Sequence, residues 1–583
     1  RERRIGGKER ELAQAGAMRA RAGAVGSGGG RRQLRREGIG SVPRGGVVVG
    51  ATEGKESVRA GDADAEASGA GGAAGADGLR QRSEEVYAAE ELAAEDDGVL
   101  ASKVFELALP ALFALAIDPL LTVADSAYVG RAGTDELGAL AVASAVFALC
   151  FKVFNVTLSV VVAPIVTTDI AAGDVARARA TVSDAMALAL GVGVLATVGI
   201  ELFTDDVLQL AGATQGSELA EGAAEYLRVR ALALPAALTG AVGVGAFRGA
   251  LDTQTPLRVA VAANALNFVL DPLLIFGLPQ LGVQPFGLAG AGAATAAAEY
   301  LAAGWFITLL ARRELLDVGR TLRFGGALEF ARGGGGEGNA EGDGGGGEGS
   351  ATGLSEVLAG GGGQLLRTLS LQALLFEATA SAASLDAESS AAAHQVVLQV
   401  WYTSLFCLDA LAVAAQGLVA NELGRGNVAG ARRVSDLILR YSLTFGAGLG
   451  GLLYVGGAAL PGIFTNDADV ADAVAQPLRL VAALQPLNAA VFVGDGILQG
   501  AKDFGYVALA MGGATAAGGA ALSLLGDSLL GVWQAIGVLQ LGRAVSLSYR
   551  YWGSAEGPLA LPAEDRRAAG DDDGAASGGG GGS

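Results

Sequence analysis

Ala508-Leu-Ala-Met-Gly-Gly-Ala-Thr-Ala-Ala-Gly-Gly-Ala-Ala-Leu-Ser-Leu-Leu525 carries no charged residue and no polar face. Leu188-Ala-Leu-Gly-Val-Gly-Val-Leu-Ala-Thr-Val-Gly199 reads the same way. A helix in a soluble bundle keeps one polar side. A helix crossing a bilayer needs ~20 mostly apolar residues and no such side. These stretches therefore decide the fold class, an all-α polytopic membrane protein. Outward from them, long apolar runs alternate with short polar turns. They predict twelve transmembrane helices, near 104–130, 138–167, 180–203, 226–246, 256–279, 286–311, 364–385, 390–420, 434–456, 473–500, 504–526 and 529–552.

The composition agrees. Of 583 residues, 51% are hydrophobic and 17% charged, against ~25% charged in soluble domains. Two cysteines and one histidine exclude a disulfide scaffold and a His/Cys metal site. The net charge of −19 speaks against a nucleic-acid binder. By region it is about −1 for residues 1–99, −4 for 331–363, −4 for 553–583 and −10 for the body between them.

Those three outlying segments are expected to be disordered, because none buries enough apolar surface to offset its ordering entropy. Residues 1–99 form an N-terminal extension. Its first 50 residues hold twelve basic and four acidic side chains and no apolar core, so they resemble an organelle transit peptide rather than a secretory signal. An acidic linker follows, with Glu84, Glu85, Glu90, Glu91, Glu95, Asp96 and Asp97. Residues 331–363 read as a flexible Gly-rich loop between two lobes, 100–330 with spans one to six and 364–552 with spans seven to twelve. Residues 553–583 read as an acidic, Gly-rich tail.

Charge in the loops tests the count. Connections after even-numbered spans hold Arg177, Arg179, Arg248, Arg258, Arg312, Arg313, Arg320, Arg323, Arg425, Arg432, Arg433 and Lys502. Connections after odd-numbered spans are acid-rich, with Asp135, Glu136, Asp205, Asp206, Asp386, Glu388, Asp467 and Asp469 among them. Arg228, Arg230 and Arg479 sit near that acidic side and run against the trend. The asymmetry follows the positive-inside rule and puts both termini and the Gly-rich loop on the basic face.

The two halves also repeat at an offset near 251 residues. Leu227-Arg-Val and Pro235 match Leu478-Arg-Leu and Pro486. Arg248-Gly-Ala-Leu-Asp matches Gln499-Gly-Ala-Lys-Asp, and Gly173-Asp-Val-Ala matches Gly426-Asn-Val-Ala. Six spans per half give both halves one orientation, so the lobes form a parallel repeat about an axis along the membrane normal. No P-loop sequence is present, so this chain carries no ATP-binding motor. Nor does it carry a Gly-x-Ser-x-Gly elbow or a metalloprotease helix, and it is not expected to be an enzyme.

Ionisable groups inside spans are costly and mark candidate sites. The first span has Asp118-Pro119 and Asp125, two turns apart on one face. The fifth has Asn264, Asn267 and Asp271-Pro272 on one stripe, and the sixth has Thr295 and Glu299 one turn apart. Pro119 and Pro272 are candidate hinges, since each removes a helical donor. Together these residues suggest a small polar pocket in the N-lobe. A carboxylate in low dielectric holds a proton more readily, so the pocket can exchange H⁺ for Na⁺ or for a cationic solute. Structural roles, such as satisfying broken-helix backbone, remain open for each. The C-lobe offers a second candidate set: Asp495 with Gln485 and Asn488 in the tenth span, Asp409 in the eighth and Glu377 in the seventh.

Leu107-Ala-Leu-Pro-Ala and Asp118-Pro-Leu-Leu-Thr-Val-Ala-Asp-Ser-Ala-Tyr-Val-Gly resemble the first-span signature of the multidrug and toxic compound extrusion (MATE) family. Phe247-Arg-Gly-Ala-Leu-Asp-Thr-Gln-Thr-Pro and Asn264-Ala-Leu-Asn-Phe-Val-Leu-Asp-Pro-Leu are similar to its fourth-loop and fifth-span signatures. Val397-Leu-Gln-Val-Trp and Asp409-Ala-Leu-Ala-Val-Ala-Ala-Gln resemble the eighth span of its DinF-like branch in plant and algal plastids. The resemblance spans roughly 100–552. It implies two six-helix lobes and secondary active antiport, with a coupling site at Asp125, Asp271, Asn267 and Thr295. Other branches place a glutamate in the seventh span; Glu377 lies near that position without clear alignment.

The expectation is thus an antiporter exporting an organic cation, phenolic or carboxylate in exchange for H⁺ or Na⁺, with no other cofactor. It would be monomeric in a lipid bilayer, with no nucleic-acid partner. A plastid envelope is the expected membrane, and the plasma or vacuolar membrane is the alternative. Two rival functions stay open. One is a lipid-linked oligosaccharide flippase, which would usually add spans and a basic central cavity, whereas few membrane-embedded bases are apparent. The other is a non-transporting receptor or scaffold.

Overall fold

In the computed structural model the described residues are 97–132, 134–210, 217–277, 282, 284–324, 353–385, 389–457, 459–464, 467–554 and 556–560. Everything else, including the transit-peptide reading of the leader and the linker before Asp97, lies outside the described residues. The helices are α1 (Asp97–Ala132), α2 (Thr134–Ala171), α3 (Val175–Leu210), α4 (Glu218–Ala231), α5 (Leu234–Gly249), α6 (Gln254–Ile275), α7 (Gly287–Arg312) and the short α8 (Val318–Leu322). In the second half they are α9 (Gly353–Ala383), α10 (Ser389–Gly424), α11 (Val428–Gly456), the short α12 (Pro461–Phe464), α13 (Ala468–Gly500), α14 (Phe504–Leu525) and α15 (Leu529–Ser548), ended by a π-turn at Tyr549–Gly553. Each of the twelve predicted spans has its helix. Among the described residues nine helices are long and apolar enough to cross a membrane, or ten when α4 and α5 count as one span. α9 and α15 are not among them, and they carry Arg367 and Arg543.

The fourth span is bent by 49° between α4 and α5. Pro235 lies at the start of α5 and has no N–H to offer Ala231. The carbonyls freed at the break take side-chain donors instead: Thr197 Oγ1 donates to Ala231 O at 2.7 Å and Tyr300 OH to Leu232 O at 2.9 Å. Gly193 makes room, since a Cβ there would lie 2.5 Å from Pro235 Cα.

The repeat is visible as matching geometry. Gly245 and Gly249 of α5 press on α2, where added Cβ atoms would lie 2.8 Å from Ser159 O and 2.9 Å from Ala163 O. Gly496 and Gly500 of α13, 251 residues later, press on α10 at 2.5 Å from Ala412 O and 2.6 Å from Gln416 O. Small residues four apart let helix backbones approach in a medium that supplies no hydrophobic drive between helices. Both helices end in the same cap. Leu251 and Lys502 take φ of 55° and 59°, and Asp252 and Asp503 donate their N–H to Phe247 and Leu498 carbonyls, both at 2.9 Å.

Two segment boundaries differ from the sequence reading. Residues 353–363 belong to α9, not to the flexible loop. Their glycines serve close packing: a Cβ on Gly360 would lie 2.9 Å from both Phe504 and Val161. The C-terminal tail is not free from 553 onward either. Leu559 is buried against the α1 and α11 core with Leu100, Val104 and Tyr551, because the apolar turn has a hydrophobic groove to fill. On the outside, Leu195, Leu202, Phe376, Leu452, Val455, Leu509 and Leu524 are exposed, as a lipid-facing surface requires.

Cross-lobe contacts among the described residues gather toward the basic face. Arg177 of α3 pairs with Glu356 of α9, and Lys502 lies 3.9 Å from the same carboxylate. Gln416 Nε2 donates to Val160 O at 2.9 Å, and Gly424 fits against the Thr168 backbone. Nearby, Asp252 accepts from Thr255 N at 2.9 Å and Thr255 Oγ1 at 2.7 Å, with Arg313 at 2.9 Å. Burial pushes its carboxyl up, but the Thr255 bonds and the Arg313 charge outweigh that and hold it below 3.8.

Two outcomes follow from this packing. Gly496→Val should lower the detergent unfolding temperature, at an overpacking cost of roughly 1–3 kcal/mol. Gly448→Ala should not lower it and should raise it slightly, since nothing lies within 4 Å of a Cβ there and alanine favours a helix interior. Asp252 is depressed, so its contribution is present above its unfolded pKa and lost as pH falls through the folded one. The stability gap between wild type and Asp252→Asn should therefore hold near neutral pH and close below pH 3.8, as followed by unfolding across a pH series.

Candidate functional site

Among the described residues, each lobe holds a polar group inside the helix bundle. In the N-lobe, α6 and α7 face each other closely because Gly290 leaves no Cβ against the Leu274 carbonyl, 2.6 Å away. Asn267 and Asp271 stand one turn apart on α6 and are both fully buried, at 0% exposure. Asn267 Nδ2 donates to Asp271 Oδ1 at 3.4 Å and to Thr295 Oγ1 at 3.3 Å. Turning the amide over improves the set: Nδ2 then donates to Asp271 Oδ2 at 3.2 Å and Oδ1 accepts from Thr295 N at 3.1 Å. Thr295 Oγ1 also donates to Ala291 O at 3.0 Å. Pro272 gives no N–H to the Phe268 carbonyl four residues back, which leaves polar backbone beside the Asp271 carboxylate.

The structure thus brings together Asn267, Asp271 and Thr295. Asn264, half-buried, donates to Ala260 O at 2.8 Å within its own helix instead. Glu299 stands 3.9 Å from Arg230, whose guanidinium lies 3.9 Å from the Phe147 ring centroid. Arg230 is a buried base in this lobe and not a loop residue. Asp118, Pro119 and Asp125 lie on α1, which runs as one helix through all three. Their side chains are outside the described residues.

In the C-lobe, Asp495 of α13 is buried at 4% exposure. It accepts from two arginines on one oxygen: Arg543 Nη2 of α15 at 2.6 Å and Arg367 Nε of α9 at 3.1 Å, with Arg367 Nη2 alongside. Arg543 Nη1 donates to Gln540 Oε1 at 2.7 Å, and Gln540 Nε2 donates to Asn488 Oδ1 at 2.7 Å. Asp409 of α10, half-buried, faces Arg367, Arg543 and Arg248. Gln485 is buried one turn from Asn488. Glu377 is exposed on α9 and is not a partner of Asp495.

Arg367, Arg543 and Gln540 were not singled out in the sequence, where few bases seemed to lie in the membrane. The signal was present, because Arg543 falls in the middle of the twelfth predicted span and Arg367 inside the start of the seventh, and the rule that flags an embedded aspartate flags them equally. Reading arginine as a loop marker hid them.

A family model described as MatE matches residues 110–273 and 366–520. The chain belongs to the MatE family. It is therefore an integral membrane transporter of MATE type. Protein DETOXIFICATION 44, chloroplastic, of Arabidopsis thaliana is 34% identical over 424 residues, covering 71% of this chain and 74% of that protein. Protein DETOXIFICATION 45, chloroplastic, of the same plant is 31% identical over 424 residues, covering 70% of each. Among solved structures, a MATE crystal structure in complex with MaD3S superposes with a TM-score of 0.66 at 20% identity, covering 79% of this chain and 96% of that one. An outward-facing multidrug resistance MATE transporter of the MOP superfamily gives 0.65 at 18% identity, with 79% and 96% coverage. These likenesses confirm the twelve-helix, two-lobe MATE fold.

If the Asn267 amide joins Asp271 to Thr295, its two ends are not interchangeable. Asn267→Asp should place two carboxylates at hydrogen-bond distance and cost stability by leaving a buried like-charge pair. Asn267→Ser should keep a donor and cost less, with detergent unfolding as the measure.

Proposed function

We propose that this protein is a secondary antiporter that moves an organic solute across the membrane in exchange for H⁺ or Na⁺. The observation that carries the reading is the buried Asn267–Asp271–Thr295 group in the N-lobe of a MATE transporter. Its carboxylate, amide and hydroxyl oxygens suit either a proton or a sodium ion. An ionised carboxylate there is costly unless it is paired, and a bound cation or proton relieves that cost. Whichever ion binds therefore biases the packing of α6 against α7, next to the proline that already weakens α6. Asp125 is assigned to the same group from the first-span signature, with Asp118, Asn264 and Glu299 at its margin and Pro119 and Pro272 as hinges.

The second element of the mechanism is the closure at the basic face. The Arg177–Glu356–Lys502 ion group and the Gln416–Val160 bond tie the lobes there. Rocking one lobe on the other must break them. Such surface-side pairs are each worth little, ~0–1 kcal/mol, so the closure is reversible at modest cost. The chain supplies the transport unit alone, as a monomer that needs no cofactor beyond the coupling ion and performs no chemical reaction on its solute. We place it in a plastid envelope, supported by the chloroplastic relatives and the basic leader.

Proteoliposomes with an imposed pH or Na⁺ gradient test the reading. Asp271→Asn should abolish gradient-driven solute flux while leaving the unfolding temperature near that of wild type. Retained flux in that variant would refute Asp271 as the coupling group. Glu356→Gln should loosen the closure, seen as faster labelling of Thr168→Cys by an impermeant maleimide from the basic side. A fluorescent fusion of the full chain should mark the plastid envelope; label at the plasma membrane would refute the placement.

A further inference from the structure

In the ion group at the basic face, the contact that crosses between the lobes is Arg177 of α3 to Glu356 of α9. Each partner also has a second, longer contact inside its own lobe. Arg177 Nε lies 3.5 Å from Asp169 Oδ1, near the end of α2. Lys502 Nζ, in the turn after α13, lies 3.9 Å from Glu356 Oε2. The backbone of α9 also keeps to the Lys502 side, since a Cβ on Gly363 would lie 2.9 Å from Phe504 O. The four side chains carry two positive and two negative charges, so they can pair in two ways, across the lobes or within each lobe.

Asp169 is the odd member. Its side chain is 6% exposed, whereas those of Arg177 and Glu356 reach water at 30% and 26%. Its Oδ2 is buried with no hydrogen-bond partner among the described residues. A carboxylate oxygen left bare in a buried place is costly. Asp174 does not relieve it, because its own Oδ1 accepts from Arg177 N at 2.9 Å at the start of α3. The internal repeat shows the alternative. The offset of 253 residues that pairs Gly173 with Gly426 also pairs Asp169 with Glu422 and Arg177 with Gly430. Glu422 is buried too, but both its oxygens are bonded. Oε2 accepts from Asn427 Nδ2 at 2.7 Å and Oε1 from Asn421 Nδ2 at 3.4 Å. With glycine at the arginine position, the C-lobe carboxylate is satisfied inside its own lobe. The N-lobe carboxylate is one bond short, beside a guanidinium that is turned to the other lobe.

We propose that Asp169 is the open-state partner of Arg177: when the basic face opens, the guanidinium leaves Glu356 and closes a two-pronged pair on Asp169, while Glu356 turns to Lys502. A guanidinium fork matches the two oxygens of one carboxylate. Each lobe then separates with its own neutral pair, and no charge is left without a partner. The closed state has the cross-lobe contact and one bare carboxylate oxygen. The open state satisfies that oxygen and loses the contact. Two arrangements that trade one bond for another give a closure that reverses readily. Asp169 is thus a positioning residue that acts through Arg177, and its role rests on the rocking of the lobes proposed above.

Pulsed dipolar electron resonance on the full chain in lipid nanodiscs, without gradient or solute, reads the two arrangements. Spin labels go on Ala172→Cys and Ala429→Cys, exposed positions on the two lobes at the basic face, with Cys150 and Cys407 changed to serine. The otherwise unaltered chain should populate a short and a long distance. Asp169→Asn should lower the long-to-short ratio about tenfold, the scale of one charge-assisted bond. Glu356→Gln should raise it by a similar factor. In an Arg177→Gln background Asp169→Asn should change nothing, an outcome that a merely structural role for Asp169 does not predict. If Asp169→Asn fails to fold, Lys502→Gln tests the exchange from the other lobe and should also lower the ratio. The proposal falls if the long distance is never populated, if Asp169→Asn raises the ratio or leaves it unchanged, or if its effect persists without Arg177. An unchanged ratio in Asp169→Asn, beside gradient-driven solute flux in the unaltered chain, overturns this proposal alone. Ratios that shift as stated in a protein without gradient-driven flux overturn the antiport reading alone.

Discussion

Hydrocarbon offers no hydrogen bonds, and most of this structure follows from that. Every backbone group in a span has to be satisfied within the protein. The helices are accordingly long, and each interruption comes with its own remedy. At the break in the fourth span, Thr197 and Tyr300 replace the donors that Pro235 removes. Where the helices end, repeated caps close the last carbonyls, and Leu251 and Lys502 accept an unfavourable left-handed conformation to do so. The same rule makes internal charges informative. Asp271 is tolerable because Asn267 and Thr295 organise its surroundings, and Arg543 because Asp495 and Gln540 bond to it.

Without a hydrophobic drive between helices, cohesion depends on how closely backbones approach. The glycine pairs at 245/249 and 496/500 settle that in each lobe by the same means. They sit on the helix that leads into the basic face, directly before the turn whose geometry also repeats. One duplicated unit therefore provides the scaffold twice, and the lobes diverge in what they carry. In the N-lobe the turn begins at Arg248, whereas its counterpart is Gln499. That exchange gives the N-lobe a cation at the lobe interface, facing an acid on α10.

The spans, their sidedness and the repeat were legible because each rests on a pattern many residues long. Leu188–Gly199 and Ala508–Leu525 leave no polar face to misread, and basic side chains after even spans recur six spans later. The N-lobe trio was legible for a narrower reason. Asn267, Asp271 and Thr295 are each one or two turns from another polar residue within a span, so helical geometry alone put them on shared faces. The glycines of 360–363 were misread because composition cannot separate a glycine that frees the chain from one that seats it against Phe504. The C-lobe group was half legible. Asp495 and Asn488 share α13, but their partners Arg367 and Arg543 come from helices 128 and 48 residues away in sequence, a pairing that no local period reveals.

The two polar groups differ in electrical character. The N-lobe group centres on carboxylate, amide and hydroxyl oxygens, whereas the C-lobe group sets two guanidinium groups against the Asp495 and Asp409 carboxylates. Both groups nevertheless bear on α5. Arg248 joins the C-lobe charges to α5, and α5 shares the N-lobe core with α7, on which Thr295 sits. A change of charge at Asp495 alters the pull of Arg367, Arg543 and Asp409 on Arg248, and so the hold of one lobe on the other. No long relay of side chains lies between them, because Arg248 sits in the last turn of a helix of one lobe and its charge interacts with an acid of the other.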